Sequence, residues 1–392
     1  MSTTPVRVVL QGVHRVAFAP IHDGRWEFTP FPSCLKSVAA FLGRPLSYHY
    51  LLGASGAAFR FAWHAGRWNG GNVDIVVMSR DPLEPFVRGV RAAGCSERIV
   101  LNRSRSWEFD RSSGRAGFLE PRETDDREEV RRAITASIAA GVPVIALGVV
   151  GPPEACIITG YDDGGDTLIG WSMFQEHIDP TLDLVPGDSR AEHAPSGLEP
   201  DGSFRRRDWW RSLYGAVFLE KGPEPDPTAV FSATLAWIPV LARTKRTYEF
   251  HTGIAAMRAY RDRLLDDADY PRGDRDALGL RKMAHYDAMT MLAERSNAAA
   301  FIRDGAALPR FAGVASVLAT VADRYERVGR EMEAWWEIVG PIWSDEEAQV
   351  AAVGDPRVRR AFAERVDVAI RAEEEAVGLV ERVLDVCGPG ET

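Results

Sequence analysis

The residue whose surroundings suggest the most chemistry is Cys34, in Phe31-Pro32-Ser33-Cys34-Leu35-Lys36-Ser37. Pro32 ends an extended approach, Ser33 is a suitable N-cap, and Leu35, Val38, Ala39 and Leu42 recur at helical spacing until Gly43 stops the run. This pattern predicts a helix whose first turn carries the cysteine. Free backbone N–H groups and the helix dipole at that position favour a thiolate, the form in which sulfur attacks an acyl carbon. Backbone N–H groups around Ser33 and Leu35 would then stabilise the tetrahedral oxyanion. The competing role is structural, because a free cysteine also packs as a small buried hydrophobe.

The elements that must hold Cys34 read as mixed α and β from Val6 to Lys221. Val6 to Leu10 alternates as a strand. Asp81 to Gly94 and Arg127 to Ala140 are helices, the latter with Val130, Ile134 and Ile138 on one face. Pro143 to Val150, Cys156 to Tyr161, Thr167 to Phe174 and Gly215 to Glu220 are strands, with a turn at Asp162-Asp163-Gly164-Gly165-Asp166. Helices first and hairpins later give an α+β layout with an antiparallel sheet. The glycine-rich run with Gly53 and Gly56 lacks a dinucleotide fingerprint and is expected to pass close to the cysteine helix, with Gly56 and Phe59 beside the site. Pro186 to Ser203 carries no pattern and reads as a long surface loop, either disordered or a lid over that site.

The domains read as 1–221, a proline-rich linker at 222–227 and an all-α helical bundle at 228–392. Within the bundle, one helix from Asp274 to Arg303 is expected, its inward stripe made by Leu280, Ala284, Ala288, Met291, Ala298 and Ile302. Arg295 falls on the same face and either pairs with an interior carboxylate or faces a cleft between the domains as a substrate-binding residue. The last helix carries Phe362, Val366, Ile370, Val377, Val380 and Leu384 on one stripe.

With 392 residues, 45% hydrophobic and 26% charged, the chain has the composition of a soluble two-domain protein. A net charge of −9 argues against nucleic acid or an anionic membrane as the main partner. Four cysteines without close pairing imply no disulfide framework and no zinc motif. The start of the chain lacks a signal peptide and no apolar run is long enough to span a bilayer, so a cytoplasmic location is the default. No cofactor and no metal are expected.

Ser33-Cys34 with its helix, Leu46-Ser47-Tyr48 leading into Gly53-Ala54-Ser55-Gly56-Ala57-Ala58-Phe59-Arg60-Phe61, and Ile157-Ile158-Thr159-Gly160-Tyr161-Asp162 together resemble the N-terminal domain of the butirosin biosynthesis protein H family. More distantly they are similar to the papain-like peptidases that process bacteriocin leaders. The resemblance covers the first domain and implies a papain-like fold whose cysteine, Cys34, accepts an acyl group and passes it to an amine or to water. It implies a small-molecule or peptide substrate, with a carrier-protein-tethered acyl donor as one form. The peptidases' histidine position, six residues before the glycine of Gly-Tyr-Asp, holds Glu154 here, and the orienting aspartate's position falls near Trp171-Ser172. No glutamine stands closely before Cys34 as an oxyanion donor.

An ionised Glu154 about 4 Å from the sulfur would oppose a thiolate by about 4 kcal/mol at an effective dielectric near 20. A helix dipole returns about 0.3–1 kcal/mol, rising to about 2 when partly buried, so the repulsion wins: either the thiol stays protonated, or Glu154 is itself neutral and able to donate a hydrogen bond to a substrate carbonyl. On a strand, Cys156 would share a face with Glu154 and line the same cleft. His177, following the strand that borders the cleft, is the best remaining base, ahead of His49 and His64; Gln175 is a polar lining residue. Two functions follow: cysteine-dependent acyl transfer or amide hydrolysis on a natural-product or peptide-like substrate, or a catalytically silent papain-like domain that binds a peptide, a metabolite or a carrier-tethered group.

Overall fold

The computed structural model describes residues 6–20, 25–64, 75–105, 122–152, 154–175, 194–341 and 345–388. The protein is mixed α and β, with a mixed sheet and a helical C-terminal region. It divides into two units with interleaved membership: Met1–Ile21, Thr29–Leu51 and Phe86–Pro225 form one, and His22–Phe28, Leu52–Pro85 and Asp226–Thr392 the other. A continuous 1–221 domain does not describe this arrangement, because 22–28 and 52–85 fall with the C-terminal helices. The division at 225/226 falls within the 222–227 linker, and the linker is held at both ends. The Gly222 N–H donates to the Gly94 carbonyl at 3.1 Å, while Asp226 caps the next helix through the Thr228 N–H and Pro227 is that helix's first residue.

The first unit is built on a nine-stranded sheet. Its strands are β1 (Val8–Val9), β2 (Cys95–Asn102), β3 (Arg122–Thr124), β4 (Val144–Leu147), β5 (Ala155–Asp162), β6 (Thr167–Trp171), β7 (Gly197–Leu198), β8 (Phe204–Arg206) and β9 (Gly215–Lys221). They lie in the order β7-β8-β6-β5-β4-β9-β2-β3, with β1 pairing β5, and every pair is antiparallel except β2 with β3. It is accompanied by α1 (Pro30–Phe41), α2 (Glu84–Ala92), whose body from Phe86 belongs to this unit, and α3 (Arg127–Ala139), while a further short helix, Tyr48–Ala54, has its first four residues in this unit and the rest in the other. Asp126 caps α3 by accepting from the Glu128 N–H at 2.9 Å, and Val130, Ile134 and Ile138 pack with Val144, Ala146, Cys156 and Ile158 of the sheet. Helix α1 lies across β5 and β4. Its Phe31 meets Phe86 edge-on at 4.6 Å, and Gly89 lets α2 approach Phe31 and Leu35 closely.

Part of the region expected to be a patternless loop is a hairpin. Glu199-Pro200-Asp201-Gly202 turns the chain between β7 and β8, with the Gly202 N–H donating to the Glu199 carbonyl at 2.9 Å. Residues 186–193 of that expected loop lie outside the described residues.

The second unit holds α4 (Pro227–Arg243), α5 (Gly253–Leu265), α6 (Arg275–Ala293), α7 (Arg295–Ala306), α8 (Ala315–Val339), α9 (Glu346–Gly354) and α10 (Pro356–Cys387), with a small sheet of Ala62–Trp63, Phe250–Thr252 and Arg246–Thr247. Phe362, Val366, Ile370, Val377 and Val380 form the buried stripe of α10, with Leu384 partly buried. The single helix expected from Asp274 to Arg303 is two, broken at Glu294, whose carboxylate is held by the Phe28 N–H at 3.2 Å and by Arg60 at 3.2 Å. The stripe holds except at Leu280, which is exposed. Among the described residues no single helix is long and apolar enough to cross a membrane.

Candidate functional site

Helix α1 starts earlier than its sequence suggests. Thr29 is the N-cap and Pro30 the first helical residue, a position where the missing N–H of proline costs nothing. Ser33 therefore lies inside the helix, its N–H directed to the Thr29 carbonyl at 3.4 Å, and is not the cap. Cys34 becomes the fifth helical residue, past the free N–H groups of the first turn, and the Leu35 N–H belongs to the intrahelical ladder. The donors expected for a thiolate and an oxyanion are displaced from the sulfur. Ser33, Cys34 and Leu35 are all fully buried.

Around Cys34 the electrostatics oppose ionisation. Burial first, then Cys156, then Glu154 push its thiol well above the ordinary cysteine range. Cys156, in the core cluster with α3, is pushed up to about 12 by burial, although the Val150 and Val149 N–H groups aimed at its sulfur pull the other way. Glu154 is 4% exposed, just before β5. The structure thus brings Cys34, Cys156 and Glu154 into one electrostatic neighbourhood, but as buried groups and not as the lining of an open cleft.

The other candidates have structural employment. Trp171 ends β6 with the Arg15 guanidinium 5.8 Å from its ring centre. Gln175 braces two turns: its Oε1 accepts from the Ser172 N–H at 3.1 Å and its Nε2 donates to the Gly202 carbonyl at 2.8 Å. Ser172 donates to the Val150 carbonyl at 2.9 Å, so the position near the peptidases' aspartate ties a loop to the strand. His177 lies outside the described residues. His49 approaches the Ser47 hydroxyl at 3.2 Å, and His64 approaches Glu249 at 3.6 Å.

Gly56, Phe59 and Arg295 belong to the second unit, whereas Cys34 belongs to the first. Phe59 packs edge-on to Tyr325 at 5.3 Å. Gly56 has φ +78°, and a Cβ there would overlap the Trp237 ring. Gly56→Ala is therefore expected to cost about 2–4 kcal/mol, the sum of a left-handed strain of about 1 and an overpacking penalty of about 1–3. Thermal melts compared with Gly141→Ala, where the left-handed φ is similar but nothing meets the Cβ, separate the two parts.

Arg295 is 1% exposed and its guanidinium is fully engaged in structure. It donates to Glu373 through Nε at 2.9 Å and Nη2 at 3.0 Å, and to the carbonyls of Ala58 (2.7 Å), Arg60 (2.9 Å) and Phe59 (3.0 Å). These bonds fix the turn at 57–60 and leave no donor for a substrate. Of the two roles considered for Arg295, the interior ion pair is the one formed.

One feature had only a weak sequence signal. Arg7, Asp162, Glu199 and Arg205 form a ring of four charges: Arg7 pairs with Asp162 at 3.0 Å and Glu199 at 2.9 Å, and Arg205 pairs with Asp162 at 2.9 Å and with Glu199. Hydrogen bonds from Arg205 and Arg7 hold the Asp162 and Glu199 carboxyls below their ordinary range. Beside the ring lies a cleft of about 450 Å³ lined by Arg7, Val9, Gln11, Glu199, Pro200, Asp201 and Ser203. The Pro200-Asp201-Gly202 turn signature was its only legible trace. Among the described residues no group of three His, Cys, Asp or Glu side chains is arranged to hold a metal ion. No family model matches the chain, and no curated protein matches it.

Proposed function

We propose that the first unit is a papain-like scaffold with an unarmed cysteine, which binds a peptide, a metabolite or a carrier-tethered group without turning it over. The observation that supports this most is the state of Cys34: fully buried, beyond the free N–H groups of α1, and held protonated by burial, Cys156 and Glu154. Acyl transfer needs an ionised sulfur in contact with substrate, and none of these features serves it. Resemblance to the papain-like families rests on the motif residues and on a cysteine-bearing helix laid across antiparallel strands.

Iodoacetamide treatment of the native protein at neutral pH, read by intact mass and peptide mapping, tests the reading. Partly buried Cys387 serves as an internal reference. The expected result is that Cys387 is modified while Cys34 and Cys156 stay unmodified until denaturant is added. Modification of Cys34 ahead of Cys387 would show an armed nucleophile and overturn the proposal.

A further inference from the structure

We propose that the outer face of α4 is where a second copy of this chain docks, its own α4 running antiparallel about a two-fold axis, so that Asp226 meets the partner's Arg243. This goes beyond the binding role proposed for the first unit and does not depend on it.

The argument starts from the charge pattern of α4. Between Asp226 at its N-cap and Arg243 in its last turn the sequence holds no charged residue. Burial explains only the inner half, where Phe231, Leu235 and Ile238 face the core of the second unit. On the outer half Ala229, Ala233, Ala236 and Val240 are exposed, Val240 at 55%. A surface helix ordinarily turns charged or polar side chains to water. Here the outward row is apolar between its two charged ends. From Asp226 through these four to Arg243, successive members alternate three and four residues apart. That alternation is the seam along which two helices pack lengthwise, crossing at about 20°.

The symmetry of the row selects the occupant. Its spacing is the same read from either end, so an antiparallel second copy sets Ala233 opposite the partner's Ala236, Ala229 opposite the partner's Val240, and Asp226 opposite the partner's Arg243. A two-fold axis repeats each contact in reverse, the self-complementary form of a closed dimer. Alanines at the centre let the helix axes approach to about 8 Å, the near limit for packed helices. Both charged ends are accessible. Asp226 is exposed and accepts from the Thr228 N–H at 2.9 Å through Oδ1, while Arg243 is 53% exposed where it pairs with Glu381 at 2.9 Å. A parallel copy would set carboxylate against carboxylate and guanidinium against guanidinium, so charge decides the direction. A helix of 17 residues is about 25 Å long and about 10 Å wide, and this contact alone covers less than the roughly 1,200 Å² of a standard interface. The dimer is therefore expected to be reversible and concentration-dependent.

Sedimentation velocity of the full chain from about 1 to about 300 μM, the range in which weak interfaces fill, tests this. The wild type is expected to pass from monomer towards dimer, less readily as salt rises, because exposed charge pairs are screened. Ala233→Glu and Ala236→Arg each put a charge at the centre of the seam. Both positions are exposed and both new residues are good helix formers, so each variant should stay monomeric with a nearly unchanged melting temperature. Mixed in equal amounts, the two variants should pair with one another, since the antiparallel register brings the new carboxylate against the new guanidinium. Asp226→Asn keeps a capping side chain but removes its charge, and should weaken the dimer several-fold. A wild type that stays monomeric throughout overturns the proposal whether or not any variant folds, and so does a dimer that both central variants retain. Central variants that abolish the dimer but fail to pair when mixed also overturn it, because only the antiparallel register joins those two positions.

Discussion

Glu373→Leu is expected to lower the unfolding free energy of the second unit by about 3–5 kcal/mol, because it leaves the guanidinium of Arg295 charged, buried and unpaired. Both side chains of the pair are at most 3% exposed, so solvent cannot replace the lost carboxylate. The three carbonyls of Ala58, Phe59 and Arg60 still accept from Arg295, yet they carry no compensating charge. Urea unfolding of wild type and variant measures the difference. Arg295→Met alone removes the charge but strands Glu373 and those carbonyls, and the double variant Arg295→Met/Glu373→Leu should be more stable than either single change. A loss below about 1 kcal/mol for Glu373→Leu would mean that the pair behaves as a solvated surface bridge.

Acid should destabilise the same unit through His285. This imidazole is fully buried, with Nε2 3.0 Å from the Tyr270 hydroxyl and Nδ1 3.2 Å from the Tyr260 hydroxyl. Burial first, then Arg359 on α10 and Arg281 on α6, lower its pKa to about 3 from an ordinary 6.5. The unfolded chain takes up the proton first as pH falls. His285 therefore contributes its full stability above pH 6.5 and loses it progressively down to about pH 3, at up to about 1.4 kcal/mol per pH unit. Asp269, whose pKa burial raises, works in the opposite direction over the carboxylate range. Comparing unfolding free energies of wild type and His285→Gln across that window isolates the histidine: the wild type should lose several kcal/mol more. Parallel pH profiles would show that His285 is already charged in the fold.

The sequence was most legible where burial follows a single period. Val130, Ile134 and Ile138 on α3 and the apolar stripe of α10 declare themselves by helical spacing, and β4, β5 and β6 by continuous apolar runs. Strand β2 did not, because charges interrupt it. Glu97 is buried against Arg91 at 2.9 Å and Arg98 lies 4.0 Å over the Phe218 ring, so polar residues occupy positions that composition assigns to loops. The break at Glu294 was also hidden, since it depends on Arg60 and Phe28, which are remote in sequence. So was the interleaving of the two units, which periodicity within a segment cannot report.

The candidate site shows the same division. That Cys34 lies on a core helix could be read from spacing; which turn it occupies could not, because Ser33 is as good a cap by type as Thr29. Pro30 decides the matter by fixing the first helical residue. A shift of four residues in the cap moves the sulfur from a position favouring the thiolate to one that does not. Glu154 and Cys156 were legible as neighbours of the cysteine, and their effect on it has the sign that Coulomb's law gives.

The most direct measurement is the pH titration of the Cys34 thiol in the native protein, followed by ultraviolet thiolate absorbance and alkylation rate, beside a Glu154→Gln variant. No Cys34 thiolate is expected through neutral and mildly alkaline pH in the wild type, and its titration should shift downward when the carboxylate is removed. A Cys34 titrating below the ordinary cysteine range, and unmoved or raised in Glu154→Gln, would contradict the unarmed site and restore the nucleophile.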